Sequence, residues 1–106
     1  MQSFEILTII EKIHRTKKSY GEFLRIPNIS MGVYFLPAEA KDPQKPHTED
    51  EVYYVLSGKG EFWCEGESQS VQIGTVLFVP AKAEHRFLNI AEDLTLLVFF
   101  TPAERV

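Results

Sequence analysis

Glu51-Val52-Tyr53-Tyr54-Val55-Leu56-Ser57-Gly58-Lys59-Gly60-Glu61-Phe62-Trp63-Cys64-Glu65 is the stretch that decides the fold. Val52 to Leu56 are β-branched, aromatic or aliphatic, residues that suit a half-buried pleated surface. The last five residues alternate, with Phe62 and Cys64 on one face and Glu61, Trp63 and Glu65 on the other. Ser57-Gly58-Lys59-Gly60 lies between the two runs and reads as a hairpin turn, since it lacks the spacing of a phosphate-binding loop. The alternation makes Cys64 a small buried hydrophobe rather than a reactive thiol. Trp63 is either a partly exposed aromatic or a subunit contact.

Outward from this stretch the same rhythm continues. Strand-like runs cover Glu22 to Ile26, Ile29 to Leu36, Ser70 to Ile73, Thr75 to Val79, His85 to Ile90 and Leu94 to Phe100. They are separated by Pro27-Asn28, a loop from Pro37 to Pro46, Gly66, Gly74, Pro80 to Glu84, and Ala91 to Asp93. Many short strands punctuated by Gly and Pro predict an all-β antiparallel barrel or two-sheet jelly roll. Only the N-terminus differs. Phe4, Leu7, Ile10 and Ile13 recur at helical spacing, which predicts one short helix over about residues 3–15, with Ser3 as its N-cap. His14, among lysines and arginines, is expected in solvent. The barrel is expected over about residues 22–101, and the 106 residues as one domain.

Apolar residues make up 44% of the chain and charged residues 25%, ordinary for a folded globular protein. Eleven basic and fifteen acidic residues leave a net charge of −4, and the densest basic run, Arg15, Lys17 and Lys18, is too short for a nucleic-acid surface. Cys64 is the single cysteine, so zinc sites built on several thiolates are excluded. No signal-peptide pattern opens the chain, and the longest apolar run, Leu96 to Phe100, is far too short to span a bilayer. These features predict a cytoplasmic protein with no membrane and no nucleic-acid partner. Leu94 to Phe100 is apolar on both faces, so one face is expected to meet a partner, giving a homodimer.

Chemistry concentrates in Lys45-Pro46-His47-Thr48-Glu49-Asp50-Glu51 and in His85-Arg86-Phe87-Leu88-Asn89. In extended chain His47, Glu49 and Glu51 share a face, with Lys45 before them. If the strand carrying His85 pairs with or faces theirs, two imidazoles and one or two carboxylates converge. Two histidines and a carboxylate with open positions suit Fe(II), and tolerate Mn, Ni, Zn or Co. Tyr53 shares the face of Glu51 and either hydrogen-bonds a ligand or fills the barrel. No G-x-S-x-G elbow is present for a serine nucleophile.

These segments resemble the two motifs of the cupin superfamily, and the chain is similar to small single-domain cupins. The second motif, G-x5-P-x-G-x2-H-x3-N, is matched by Gly74, Pro80, His85 and Asn89 at the right spacing, with Lys82 in place of its middle glycine. The first, G-x5-H-x-H-x(3,4)-E-x6-G, is matched by His47, Glu51 and Gly58; its opening glycine is missing and Lys45 stands where the first histidine belongs. The resemblance implies a jelly-roll barrel (a double-stranded β-helix) with His47, Glu51 and His85 as ligands of a divalent metal ion, Fe, Mn, Ni or Zn. The family's fourth ligand has no counterpart, because a protonated lysine offers no lone pair and repels a cation. The Lys45 ammonium is therefore expected to point out of the pocket, toward Glu49, Asp50 or solvent. The resemblance implies a metal-dependent enzyme on a small organic molecule, a dioxygenase, isomerase or lyase, with Glu49 and Tyr53 assisting proton transfer. The alternative is a non-catalytic barrel that binds a metabolite without a catalytic metal.

Overall fold

A computed structural model describes residues 1–105. One helix, α1 (Ile6–Arg15), precedes six strands: β1 (Tyr20–Ile26), β2 (Ile29–Leu36), β3 (Asp50–Cys64), β4 (Glu67–Gln72), β5 (Val76–Val79) and β6 (His85–Thr101). All pairings are antiparallel, in the order β1-β2-β6-β3-β4, with β5 on the same edge of β3 as β4 but along its N-terminal part. The sheet rolls into a jelly roll without closing into a continuous hydrogen-bonded ring. Among the described residues no helix is long and apolar enough to cross a membrane.

The architecture rests on β3 and β6, which run side by side for almost their whole length, from Asp50↔Thr101 to Cys64↔His85. Each is twice as long as expected. Ser57–Gly60 is not a hairpin turn, and Ala91–Asp93 is not a turn either; strand pairing passes through both. The register slips between Val55 and Ser57, again to Lys59, and again to Glu61, so the two stretches lie opposite each other as facing irregularities. Bulges bend strands, and two facing ones fold a ribbon over as a unit. Gly58 makes this possible. Its φ is +99°, and a Cβ there would drive into the carbonyl of Asp93. A glycine needed for a bulge leaves the same mark in a sequence as a glycine needed for a turn.

Folding this ribbon over brings its two halves face to face around the core. Tyr53, Phe62 and Phe87 form an aromatic cluster with ring centroids 4.7 to 5.7 Å apart, backed by buried Val55, Leu94, Leu96 and Val98. Cys64 packs half-buried at its margin, and burial, with Glu65 and Glu67 nearby, pushes its thiol pKa up. Trp63 lies on the opposite face beneath the Arg86 guanidinium, 4.9 Å from the ring centroid.

The helix lies on the outside of β1 and β2. Ile13 sits over Gly21, where any Cβ would strike its side chain, and the exposed His14 stacks its ring on Phe35 at 3.9 Å. It starts at Ile6, not Ser3, and Ser3 is not the cap; Glu5 holds that position and makes no side-chain capping bond. The reason is packing: Phe4 sets its ring against Phe23 at 5.1 Å, and Glu5 is extended, with φ −96° and ψ 107°.

Gly58→Ala is expected to destabilise the protein by about 2–4 kcal/mol, combining backbone strain with the Asp93 clash. Gly66→Ala, also at positive φ but with open space around it, is expected to cost about 1–2 kcal/mol. Urea denaturation of the two variants checks the order.

Candidate metal centre

Strand alternation sets Glu51, Tyr53 and Val55 on the inner face of β3, all buried, while Tyr54 faces out. Glu51 is 1% exposed. A carboxylate this far from water needs compensation, because an isolated buried charge is very costly. Its surroundings are His85, the first residue of β6, and His47, in the loop that leads into β3. The fold-over of β3 on β6 places Glu51 and His85 within 3.1 Å across the barrel, although His85 pairs in register with Cys64, not Glu51.

The two imidazoles are held in matching orientations. His85 Nδ1 lies 2.9 Å from the Ala83 carbonyl, which can only accept, so that nitrogen carries the proton. Its Nε2 then turns a lone pair toward Glu51 Oε1. These two atoms are buried and neither completes a hydrogen bond, close as they are. His47 Nδ1 lies 3.4 Å from Glu104 Oε2, and its Nε2 lies 3.2 Å from the Gln44 side-chain oxygen and 3.9 Å from Glu51 Oε1. The His47 ring packs edge-on against Phe100 at 4.9 Å. One donor atom from each of His47, Glu51 and His85 lies within 4.8 Å of the others. Two imidazole nitrogens and a carboxylate oxygen turned on one point, those of His85 and Glu51 without hydrogen bonds, fit a divalent ion of the Fe(II), Mn, Ni or Zn kind.

Burial pulls the His85 pKa down, but the Glu51 carboxylate and the Ala83 carbonyl outweigh it, and the net shift is upward. Burial, then Glu51, drives the Tyr53 phenol well above its ordinary value. Tyr20 and Tyr34 are raised as well, chiefly by burial. All three phenols are therefore neutral. They line a cavity of about 190 Å³ onto which His47 and Glu51 open, with Val98 and Phe100 as its apolar wall; His85 is not among the residues that line it. Glu104 closes one side, its carboxyl raised chiefly by burial and its backbone N–H donating to the buried Ser30 hydroxyl.

Of the residues singled out in the sequence, His47, Glu51 and His85 come together, and Tyr53 lies beside them. Glu49 is buried but outside the group; its carboxylate accepts from the Thr48 hydroxyl. β3 begins only at Asp50, so strand alternation does not extend back to carry Glu49 onto the face of Glu51. Lys45 is exposed to solvent, as its charge requires. Asp42 and Gln44 carried no signal in the sequence. Asp42 Oδ1 accepts from the Tyr34 hydroxyl (2.8 Å) and the Gln44 N–H (3.2 Å). Its Oδ2 accepts from the Phe87 N–H (2.9 Å) and Gln44 Nε2 (3.3 Å), which ties the long loop to β2 and β6. Glu104 was also missed, being far along the chain from every motif.

A model of the cupin domain matches residues 32–100, so the chain belongs to the cupin family. SCO3923, an uncharacterized protein of Streptomyces coelicolor, is 46% identical over 86 residues, covering 81% of this chain and 82% of the relative. Among solved structures, the DMSP lyase DddQ of Ruegeria pomeroyi superposes with a TM-score of 0.68 at 25% identity. That match covers 72% of this chain but only 39% of the lyase. KdgF from a Halomonas species gives a TM-score of 0.71 at 20% identity, covering 78% of this chain and 76% of the other; this likeness is one of fold.

Asp42→Ala is expected to cost about 3 kcal/mol, because it strands the Tyr34 hydroxyl and the Phe87 N–H in half-buried positions. Asp42→Asn, which keeps one acceptor, is expected to cost less. Thermal unfolding of the two variants tests the ranking.

Proposed function

We propose that this protein is a metal-dependent cupin that acts on a small organic molecule, with His47, Glu51 and His85 as ligands. The observation that carries the reading is the buried pair Glu51 Oε1 and His85 Nε2, close together yet without hydrogen bonds, with His47 Nε2 turned to the same place. A bound divalent ion supplies Lewis acidity toward a substrate oxygen. The chain does the rest. Val98 and Phe100 exclude water from one wall, and the Tyr20 hydroxyl, buried without a partner, is a free donor for a second oxygen of the substrate. No lysine or arginine lines the cavity, so a negative charge on the substrate would be met by the ion itself. Tyr53 is the side chain placed to pass a proton, its hydroxyl at the cavity and held by Gln44 Nε2 at 2.6 Å. Glu49 is the second acid–base candidate, two residues from Glu51. Likeness to a DMSP lyase supports lyase chemistry among the reactions open to such a centre.

Isothermal titration of chelator-treated protein with Mn(II), Ni(II) and Zn(II) tests the reading. The wild type is expected to bind one ion per chain, and His85→Ala and Glu51→Ala to abolish binding. A wild type that takes up no metal turns the assignment to a metabolite-binding barrel.

The protein is further proposed to be a cytoplasmic homodimer acting as one domain. Its half-buried lone thiol suits a reducing compartment. Outward-facing Val76 and Phe78 on β5, each 63% exposed, adjoin Val52 and Tyr54 on β3, which in turn pair with Phe99 and Leu97 on β6. This is one continuous apolar sheet face, the kind a second copy covers. Light scattering is expected to give twice the 12.2 kDa chain mass, and Phe78→Glu to halve it without loss of metal binding.

A further inference from the structure

We propose that Gln44 supplies the fourth protein ligand of the metal centre, through its side-chain carbonyl oxygen, in place of the histidine that Lys45 replaces. The inference rests on the metal reading above and goes one residue beyond it. Gln44 Oε1 lies 3.2 Å from His47 Nε2, a hydrogen bond when Nε2 carries the proton and a pair of ligand atoms when Nδ1 carries it toward Glu104. Two donors bound ~2.1 Å from one ion at angles of about 90–110° sit roughly 3.0–3.4 Å apart. The Gln44–His47 and Glu51–His85 separations, 3.2 and 3.1 Å, fall in that range, and His47–Glu51, at 3.9 Å, corresponds to a wider angle.

The orientation of the amide is fixed by its other end. Gln44 Nε2 donates to the Tyr53 hydroxyl at 2.6 Å and to Asp42 Oδ2 at 3.3 Å. A carboxylate only accepts, so turning the amide over would set its oxygen against the Asp42 charge. Asp42 is itself anchored by the Tyr34 hydroxyl and the Phe87 N–H, at 2.8 and 2.9 Å. The carbonyl of Gln44 is thus aimed before any ion arrives, as an outer ring of hydrogen bonds aims a ligand. Gln44 lines the cavity beside His47 and Glu51 while the neighbouring Lys45 side chain stands in solvent. The loop therefore presents a neutral oxygen donor to the site and keeps its cation out. A set of two imidazoles, one carboxylate and one carbonyl is richer in oxygen than a three-histidine set. It shifts preference toward Mn(II) relative to Zn(II) or Ni(II).

The test combines titration with spectroscopy on the full chain. Wild type, Gln44→Ala and Gln44→His, each checked for folding by thermal denaturation, are titrated with Mn(II) and Zn(II). Gln44→Ala is expected to weaken Mn(II) binding about tenfold or more. Gln44→His, which breaks the same bonds to Asp42 and Tyr53 but restores a nitrogen donor, is expected to regain Zn(II) affinity while Mn(II) stays weak. Equal losses for both ions in both variants would overturn the proposal, since a purely structural glutamine predicts them. So would unchanged Mn(II) affinity in Gln44→Ala. The wild type gives an independent readout: Zn(II) is expected to shift the Gln44 side-chain carbonyl carbon resonance, and an unmoved resonance at saturation overturns the assignment even if a variant fails to fold. Absence of any metal binding by the wild type overturns the centre as a whole; binding with Gln44 indifferent overturns this ligand alone.

Discussion

A carboxylate held out of water at the centre of the barrel is the constraint around which the rest of the structure is arranged. Glu51 sits on the inner face of β3 among Tyr53, Val55, Phe100 and Val98, where only a cation or a set of donors compensates its charge. Two imidazole nitrogens lie 3.1 and 3.9 Å from its Oε1. His85 is fixed by a backbone carbonyl and His47 by a carboxylate from the C-terminal segment, so neither ring is free to turn away. A site built this way is organised in advance, its three donor atoms held within 4.8 Å of one another.

What holds that arrangement is a second carboxylate in a different role. Asp42 never faces the centre, yet its four hydrogen bonds gather β2, β6 and the loop between β2 and β3. The loop is long and has no regular structure of its own from Pro37 to Glu49, which would normally leave its side chains loosely placed. Tying it at Asp42 positions Gln44, and through Gln44 the Tyr53 hydroxyl. The C-terminal segment is tied in a similar way, by the Ser30 hydroxyl to the Glu104 N–H and by the Arg25 guanidinium to the Glu104 carbonyl. Two irregular segments thus act as fixed walls of a cavity whose other sides are strands.

The two faces of the sheet divide the work. The inner face carries the aromatic cluster and the polar site. The outer face is apolar in two adjoining areas: α1 covers the one on β1 and β2, with Ile13 over Gly21, and none of the described residues covers the one on β5, β3 and β6. This explains why the apolar residues of β6 alternate between full and partial burial, Leu96, Val98 and Phe100 against Leu97 and Phe99.

The amino-acid sequence by itself determined where the strand-forming runs lie and which of their residues face inward, because period-two alternation acts over a few residues. The grouping of His47, Glu51 and His85 was legible through the resemblance to the two cupin motifs, and the exposure of Lys45 through its charge. Tertiary structure decided the rest. Whether Gly58 closes a hairpin or opens a bulge depends on what lies opposite, and Asp93, thirty-five residues on, is what lies opposite. The start of α1 depended on Phe4 finding Phe23. Glu104, Asp42 and Gln44 were invisible because polar residues in loops have no period; their roles come from partners distant in the chain. Local patterning is written in the sequence, but the closing of the site is a matter of which distant atoms meet, and only the folded chain settles that.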